Sequence, residues 1–374
     1  MEYKLEDLFD LQMGKTPSRN KPEYWDSDDH KWISISDLSR CGKYIESTKE
    51  YLSDKAVEES GISIIPAGTV VMSFKLSIGK TAIVPEPMYS NEAIMSFRDK
   101  HVVDLLPDYI YYMFLGRDWD AGTNKAVMGK TLNKATLSKI SVKIHSIADQ
   151  REIVRILDKV NDVIEARQSE IQKLDELIKA RFVEMFGDRW SNNRSWPQKS
   201  LAESADFYNG KAHEQVVDEN GKYILVTSRC IASDLTDYRR TNALLFPLKV
   251  GDICMVMSDV PNGKALAKCM RIDEDNKYTL NQRICCFRNY ELNPVFFFYL
   301  LNRHEYLLSF NDGDSQTNLR KNDLLACPVI NPPVDLQEQF ATFVAQVDKS
   351  KVVVQKALNE AQLLFDSLMQ QYFG

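Results

Sequence analysis

The chain has 374 residues, of which 44 % are hydrophobic and 27 % are charged, a balance typical of a folded protein with more than one domain. Its formal net charge of −6 argues against nonspecific coating of nucleic acid driven by bulk charge, although a local basic patch can still bind phosphate. The seven cysteines form no Cys-x-x-Cys pair, which argues against a disulfide framework and against structural zinc. Without a signal peptide or a long apolar run, the sequence predicts a cytoplasmic protein.

The first part of the chain, residues 1–149, alternates short β-rich runs with turn residues. The runs carry β-branched and aromatic side chains and are bounded by Gly, Pro, Asn or Asp, which is typical of strands. A short helix is predicted near residues 107–116, because it would begin at a proline, as helices often do. The pattern predicts a mixed α/β domain with the strands KWISIS, TVVMSF, KTAIV and EAIMSF.

A long helix is predicted from Gln150 to Met185, with no Gly or Pro inside it. Its apolar residues recur in steps of three, four and seven, as in a coiled coil, and acids and bases in near-equal number occupy the remaining positions. At about 1.5 Å per residue this helix would be about 54 Å long. The apolar stripe consists of Ile153, Ile156, Val160, Ile164, Ile171, Leu174, Ile178 and Phe182.

The second half of the chain repeats the first. From about residue 107 to 187, a constant shift of 187 residues aligns the halves without a gap, so that Pro107 matches Pro294 and Gln150 matches Gln337. Upstream of this stretch the halves still correspond in order, with small insertions. The repeat predicts an internally duplicated pseudo-dimer of α/β (α+β) class, in which the second helix is the natural packing partner of the first.

A P-loop is suggested by SFKLSIGKTAIV, residues 73–84, which contains Gly-Lys-Thr. The P-loop pattern also needs a glycine five residues before its Gly-Lys pair, and Phe74 stands there instead. The second half has SDVPNGK at the matching place and keeps one lysine, so that Lys80 corresponds to Lys264. We therefore expect a repeated strand–loop–strand element rather than an ATP site.

Catalytic motifs are incomplete in this sequence. NPPV at residues 331–334 is close to the Asn-Pro-Pro-aromatic tetrapeptide of amino-methylating DNA methyltransferases, but Val334 cannot stack on a flipped base. No glycine-rich cofactor turn accompanies it, and prolines before a helix explain the stretch. The five histidines have no His-Glu-x-x-His or similar ligand spacing. We expect no catalytic residue and no metal site in this chain.

Five segments, weak singly but ordered and repeated, carry a resemblance to a known family. They are LEDLFDLQMGKTPSR (5–19), KWISISDL (31–38), GTVVMSFKLSIGKTAIV (68–84), SNEAI (90–94) with its Asn91, and IHSIADQREIVRILDKVNDVIE (144–165). Over essentially its whole length the chain resembles the specificity (S) subunits of type I restriction-modification systems. It departs from that pattern where the first long helix begins, because only the second helix is preceded by a proline pair, in NPPVDLQEQ (331–339).

The resemblance implies two target recognition domains, residues 1–149 and 189–335, that each read one half of an asymmetric bipartite sequence in double-stranded DNA. Two long antiparallel coiled-coil helices, residues 150–188 and 336–374, would separate these domains and dock two adenine methyltransferase (M) subunits. The M subunits would bring S-adenosylmethionine, and restriction (R) motor-nuclease subunits would use ATP and Mg. The chain itself would be non-catalytic and would bind no cofactor.

The candidate DNA-binding residues lie in loops at equivalent positions of the two copies. Lys, Arg, Ser and Thr suit phosphate contacts, whereas Arg, Asn, Gln and Lys suit base edges. The lysine-rich stretch 124–143 fits a phosphate-facing patch and a solvated surface equally well. The predicted residues are Lys15, Thr16, Arg19, Lys75, Ser77, Lys80, Lys130, Thr131 and Asn133 in the first copy, and Lys211, Arg229, Arg239, Arg240, Lys264, Gln316, Thr317, Asn318 and Arg320 in the second.

Two other functions stay open at the level of the sequence. A self-contained methyltransferase or nuclease would need a cofactor loop and a catalytic tetrapeptide, and the sequence has neither. A coiled-coil scaffold or antirestriction protein would engage a methyltransferase subunit without reading DNA. The scaffold differs from a specificity subunit in one observable property, because it would not direct modification to a particular motif.

Overall fold

The computed structural model describes residues 1–75, 77–119, 132–261 and 263–374. The chain forms two compact units, of which unit 1 combines Met1–Gln168 with Lys356–Gly374 and unit 2 spans Ser169–Gln355. Each unit therefore contains one α/β domain, the first half of one long helix and the second half of the other. This composition requires the two long helices to run antiparallel.

The domain of unit 1 is built from short strands and helices, several of which are capped by Ser or Asn side chains. The strands are β1 (Glu2–Lys4), β2 (Phe9–Met13), β3 (His30–Ile33), β4 (Glu50–Leu52), β5 (Val70–Ser73), β6 (Thr81–Ile83), β7 (Tyr89–Ser90), β8 (Ile94–Asp99) and β9 (Ser141–Lys143). The helices are α1 (Leu5–Leu8), α2 (Ile35–Leu38), α3 (Asp54–Ser60), α4 (Pro107–Leu115) and α5 (Lys134–Ser138), and a 3₁₀ turn lies at Pro22–Tyr24. The first long helix, α6 (Ile147–Phe186), follows this domain.

The domain of unit 2 repeats most of these elements in the same order. Its strands are β10 (Gln198–Ser200), β11 (Asp206–Asn209), β12 (Tyr223–Val226), β13 (Arg239–Thr241), β14 (Ile253–Val256), β15 (Ser258–Asp259), β16 (Cys269–Arg271), β17 (Tyr278–Leu280), β18 (Ile284–Arg288), β19 (Thr317–Asn318) and β20 (Pro328–Ile330). Its helices are α7 (Leu201–Ser204), α8 (Ser228–Ala232), α9 (Pro294–Leu301), α10 (Glu305–Leu308) and α11 (Lys321–Leu325), with a 3₁₀ turn at Glu214–Val216, and α12 (Val334–Phe373) is the second long helix.

Three sheets are common to both domains, and unit 2 has an additional two-stranded sheet, β15-β19. The largest is a four-stranded antiparallel sheet, in the order β2-β8-β5-β6 in unit 1 and β11-β18-β14-β16 in unit 2. A three-stranded sheet follows the order β4-β3-β7 in one unit and β13-β12-β17 in the other, and its last two strands are parallel. A two-stranded ribbon, β1-β9 or β10-β20, pairs the first strand of each domain with its last. The matching topology confirms the predicted duplication.

The four-stranded sheet is covered on both faces. In β5, alternate residues enter different clusters, because Val70 and Met72 pack with α4 and the long helices while Val71 packs with Ile33 and Ile94. A strand buried on both faces is hydrophobic throughout, which explains the continuous run TVVMSF.

The long helices have 40 residues each, or about 60 Å. In unit 1, Ile153 and Ile164 of α6 share a buried cluster with Phe365 and Met369 of α12. In unit 2 the roles reverse, and Phe182 packs with rings that include Phe340. Most of the predicted apolar stripe lies in or against these clusters, except Ile156 and Ile171, and the fully buried Leu157 was not predicted.

A buried glutamine joins each long helix to its domain. In unit 1, Gln150 is fully buried, and its Oε1 accepts a hydrogen bond from the Leu106 N–H at 3.0 Å while its Nε2 donates to Asp104 O at 2.9 Å. In unit 2, Gln337 repeats part of this arrangement, because its Oε1 accepts a hydrogen bond from the Asn293 N–H and its Nε2 donates to Pro332 O, both at 2.8 Å, as the Gln150 Nε2 also donates to the equivalent His145 O at 3.1 Å. The pair fixes the start of each long helix against the segment that precedes α4 or α9.

Candidate nucleic-acid interface

The ends of several strands meet at one edge of the four-stranded sheet in unit 1. Because β2 and β5 are both antiparallel to β8, the loops that follow them lie beside the start of β8. Hydrogen bonds join these loops, from the Lys15 N–H to Ser90 O at 2.8 Å and from the Phe74 N–H to Ala93 O at 3.0 Å. We call this surface, formed by residues 14–19, 74–75, 77–80 and 90–93, the loop edge of unit 1.

Most of the predicted residues of the first copy lie at this loop edge. Asn133 is brought close to it, because the neighbouring Leu132 N–H donates to Phe74 O at 3.2 Å. Lys130 and Thr131 lie outside the residues that the structure describes. Those at the loop edge itself are Lys15, Thr16, Arg19, Lys75, Ser77 and Lys80.

Several of these side chains are held by polar partners. The Lys15 Nζ donates to Ser60 O, the Thr16 hydroxyl donates to a carboxylate oxygen of Glu92, and the Lys80 Nζ donates to the Ser39 hydroxyl at 2.7 Å. Asn133 has a local role, because its Oδ1 accepts a hydrogen bond from the Thr136 N–H at 2.9 Å and so caps α5. These hydrogen bonds tie the loop edge to neighbouring parts of the domain.

Glycine is required by close packing at the start of this surface. A Cβ on Gly14 would collide with the carbonyl oxygens of Ser90 and Asn91, and a Cβ on Gly210 in unit 2 would collide with that of Asn281. The Gly-Lys pairs at 14–15 and 210–211 therefore cross the strand ends at the same place in both units, which places Lys15 and Lys211 alike.

The Gly-Lys-Thr of residues 79–81 belongs to the connection between β5 and β6. Gly79 has a φ of 87°, its N–H donates to Ser73 O at 2.9 Å, and a Cβ there would approach the Trp119 ring to 2.9 Å. A left-handed backbone and the indole contact both favour glycine at this position. Gly79 thus closes a strand connection, and Lys80 follows it onto β6.

The loop edge of unit 2 carries most of the second set of predicted residues. Strand β19 pairs with β15, and the Leu319 N–H donates to Met257 O at 2.8 Å, as Leu132 does to Phe74 in unit 1. The Asp259 carboxylate accepts hydrogen bonds from the Ala265 and Leu266 N–H groups at 2.6 and 3.1 Å and so orders the loop around Lys264. The residues brought together here are Lys211, Lys264, Gln316, Thr317, Asn318 and Arg320.

Exposure differs among these residues. Thr317 is 7 % exposed and its hydroxyl donates to Asn311 Oδ1 at 3.0 Å, so its side chain is part of the loop interior. Gln316, Asn318 and Arg320 are exposed beside it. The three exposed side chains are therefore the better placed of the four to meet a ligand.

Of the three remaining arginines, two lie on the three-stranded sheet of unit 2 and one lies on α8. Arg239 and Arg240 begin β13, next to the end of β12, and Arg229 on α8 forms an ion pair with Asp237 at 2.8 Å. The end of β12 borders the loop edge, because the Asn281 N–H donates to Val226 O at 3.1 Å. These arginines extend the candidate surface from the loop edge of unit 2 onto the neighbouring β13 and α8.

The acidic residue Glu92 lies at the loop edge but is not among the residues predicted from the sequence, which are basic or uncharged polar residues. Glu92 accepts the Thr16 hydroxyl, and this hydrogen bond, together with Lys75 and Arg19 nearby, lowers the pKa of Glu92 against the effect of partial burial. Its counterpart in unit 2 is Gln282, whose Nε2 donates to Glu214 at 2.9 Å. The repeated asparagine before each of them, in NEAIMSF and NQRICCF, was the available signal.

Within the described ranges, no group of His, Cys, Asp and Glu side chains is arranged to hold a metal ion. No helix in the described part of the chain is both long and apolar enough to cross a membrane.

Comparison with known proteins places the chain in one group. The family model described as "Type I restriction modification DNA specificity domain" matches residues 1–176 and again 193–362. The MjaIX specificity subunit of Methanocaldococcus jannaschii is 28 % identical over 189 residues, which cover 50 % of this chain and 43 % of that protein. The EcoR124I/EcoR124II specificity subunit of Escherichia coli is 28 % identical over 169 residues, 42 % of this chain and 41 % of that protein. The matched stretch spans less than half the length of these relatives.

Solved structures share the fold over the full chain. The type I restriction-modification S subunit of M. genitalium has a TM-score of 0.54 at 15 % identity, covering 100 % of this chain and 96 % of that one. A chain from a study of complex assembly and conformational transition in a type I R-M system has a TM-score of 0.53 at 15 % identity, covering 100 % and 97 %.

Proposed function

The chain belongs to the type I restriction-modification DNA specificity family, and from this premise we propose that it is the DNA-recognition subunit of a type I restriction-modification complex. It reads an asymmetric bipartite target in double-stranded DNA, one half with each unit. The observation that carries this proposal is the pair of loop edges, which share a scaffold but differ in their side chains. Thr16 corresponds to Ala212, Glu92 to Gln282 and Asn133 to Arg320.

The division of contacts follows from chemistry. Lysines such as the half-buried Lys75 and the exposed Lys264 suit phosphate oxygens, which position a protein on DNA without reading sequence. Exposed amide and guanidinium groups such as Gln316, Asn318 and Arg320 suit base edges in the major groove. Two edges with different groups would select two different half-sequences.

The long helices provide the surface on which two M subunits dock. Val352 and Val353 of α12 are 70 % and 69 % exposed in unit 2, and Leu363 is 69 % exposed in unit 1. Exposed apolar side chains on a charged helix are typical of protein–protein interfaces. The chain itself is non-catalytic in this proposal: the M subunits bind S-adenosylmethionine and methylate adenine, and the R subunits bind ATP and Mg.

The test is co-expression of the chain with its M subunit in a host that lacks other adenine methylation, followed by methylation-sensitive sequencing of the genome. We expect one asymmetric bipartite motif, modified on both strands, since one unit reads each half. Random modification, or none from a complex that assembles, would refute the proposal.

The alternatives give different results in the same system. A scaffold or antirestriction protein would co-purify with the M subunit yet direct no motif. A self-contained methyltransferase would crosslink to labelled S-adenosylmethionine as an isolated chain, whereas we expect label only on the M subunit.

A further inference from the structure

Arg19 has an unusual environment at the loop edge of unit 1. Both of its terminal nitrogens face the Glu50 carboxylate, Nη1 donating to Oε1 and Nη2 donating to Oε2 at 3.0 Å. The guanidinium lies 3.6 Å above the ring of Trp25 and 5.1 Å from that of Trp32. The side chain is still 49 % exposed. It is therefore held on two sides and open on a third.

The groups that hold Arg19 are themselves fixed by the fold. Trp25 donates through Nε1 to Ser18 O at 3.1 Å and meets Trp32 edge to face at 4.9 Å. Trp32 is 2 % exposed, and its backbone pairs with that of Glu50 in the β3-β4 ladder. The direction of the guanidinium is thus set by a sheet and a buried indole rather than by a flexible loop alone.

An arginine can bind DNA through a phosphate or through a base edge, and the ion pair with Glu50 favours the base edge. Because Glu50 compensates its charge and Glu92 lies nearby, Arg19 contributes little to counterion release, on which phosphate binding depends. Its Nε–H makes no hydrogen bond among the described residues, and each Nη keeps a second hydrogen. The Nε–H and the outward hydrogen of the adjacent Nη form the edge of the guanidinium that Glu50 leaves open, and two such parallel donors suit the O6 and N7 acceptors of guanine.

The second copy lacks this arrangement. The segment GKTPSRN of unit 1 corresponds to GKAHEQV in unit 2, where neither an arginine nor a nearby tryptophan follows the Gly-Lys pair. The arrangement of Arg19 with Glu50 and Trp25 is therefore specific to unit 1.

We infer that Arg19 reads a guanine in the half-target bound by unit 1, and that Glu50 and Trp25 act as positioning residues for its guanidinium. This inference rests on the proposed function, since it assigns one base contact within it. The neighbouring Lys75, by contrast, meets phosphate and carries no base preference.

The decisive variant is Arg19→Lys, which keeps the charge and removes the fork. In the complex with the M subunit, we expect the methylated motif to lose its guanine requirement at one position of one half while the other half stays unchanged. Affinity for the original target should fall about 5- to 150-fold, the equivalent of one bidentate base contact. The slope of log affinity against log salt should stay the same, because no phosphate contact is lost.

Two further variants serve as comparisons. Glu50→Gln keeps the shape of the partner but leaves the charge of Arg19 uncompensated, so we expect the guanine preference to weaken and the salt slope to become steeper. Lys75→Gln should weaken binding to all sequences alike and make the salt slope shallower by about one, with the motif unchanged. Thermal melting of each variant complex shows whether the fold is retained.

The outcomes separate the inference from the function on which it rests. If the unaltered complex directs no bipartite motif, the proposed function fails. If that motif exists and Arg19→Lys melts normally but keeps every base requirement, or loses affinity uniformly with a shallower salt slope, the assignment of Arg19 is wrong.

Discussion

His304 is fully buried at the start of α10, where its Nδ1 accepts a hydrogen bond from the Tyr306 N–H at 3.2 Å. Its Nε2 makes no hydrogen bond among the described residues. Burial, and then the positive charge of Arg189, lower the pKa of His304 from 6.5 to about 4, although Glu305 and Asp188 act in the opposite direction. The imidazole is therefore neutral in the folded protein at neutral pH.

A neutral buried histidine makes stability depend on pH with a definite sign. The unfolded chain takes up the proton near pH 6.5 and the folded chain only near pH 4, so stability falls as the pH drops between these values. The loss is on the order of 3 kcal/mol. We expect His304→Asn, which retains an acceptor for the helix cap, to reduce this loss in urea unfolding at pH 7, 5 and 4. If the free energy of unfolding fell equally between pH 7 and pH 4 in both proteins, His304 would not be the group responsible.

Single residues at the candidate site were only partly predictable. The Gly-Lys pairs and the basic loops stand out because they recur in both halves of the sequence. Glu50 and Trp25 do not, because the contact between Arg19 and Glu50 joins residues 31 positions apart and depends on how β3 pairs with β4. The sequence shows which residues are charged, but only the fold shows which charges neutralise each other.

At the scale of elements, the buried glutamines at the starts of α6 and α12 are the clearest repeated device. Replacing Gln150 by Leu would leave the Leu106 N–H and Asp104 O without their partner. A buried polar group that loses its hydrogen bond costs about 1–3 kcal/mol. We expect Gln150→Leu to lower the free energy of unfolding by that amount, measured by urea denaturation, and Gln337→Leu to act similarly.

A control comes from the same helix. Gln172 is exposed on α6, where its Nε2 donates to Glu176 at 2.9 Å, and Gln172→Leu should change stability by no more than about 0.5 kcal/mol. Equal effects at positions 150 and 172 would show that the buried hydrogen bonds do not stabilise the start of the helix.

The long helices and the duplication were predictable, because a 3.6-residue period and a constant shift are visible in one dimension. The start of the first long helix was less predictable, because α6 begins at Ile147 rather than near Gln150. The Ser146 hydroxyl accepts a hydrogen bond from the Asp149 N–H at 3.2 Å, which caps the helix before its first buried residue. The division of the strands into sheets needed the structure, because each sheet joins strands that are distant in sequence.

At the scale of the whole molecule, two units with separate loop edges should be changeable one at a time. Asn318 is exposed on β19 in unit 2, whereas Arg19 belongs to unit 1. Under the proposed function, we expect Asn318→Ala to alter only the half of the motif that Arg19→Lys leaves intact. The double variant should combine both changes additively, as independent sites do. Sequencing of methylated genomes tests this, and a single substitution that altered both halves would contradict it.

The ribbons β1-β9 and β10-β20 also have a consequence for evolution. Each ribbon places the entry and the exit of a domain side by side, with Tyr3 opposite Val142 in one unit and Lys199 opposite Val329 in the other. Under the proposed function, the segment between the two ribbon strands can be exchanged as one piece if the residues that contact the long helices, such as Leu106 at Gln150, are kept. One genetic exchange of that segment would then bring a new half-target, where stepwise substitution would need many changes.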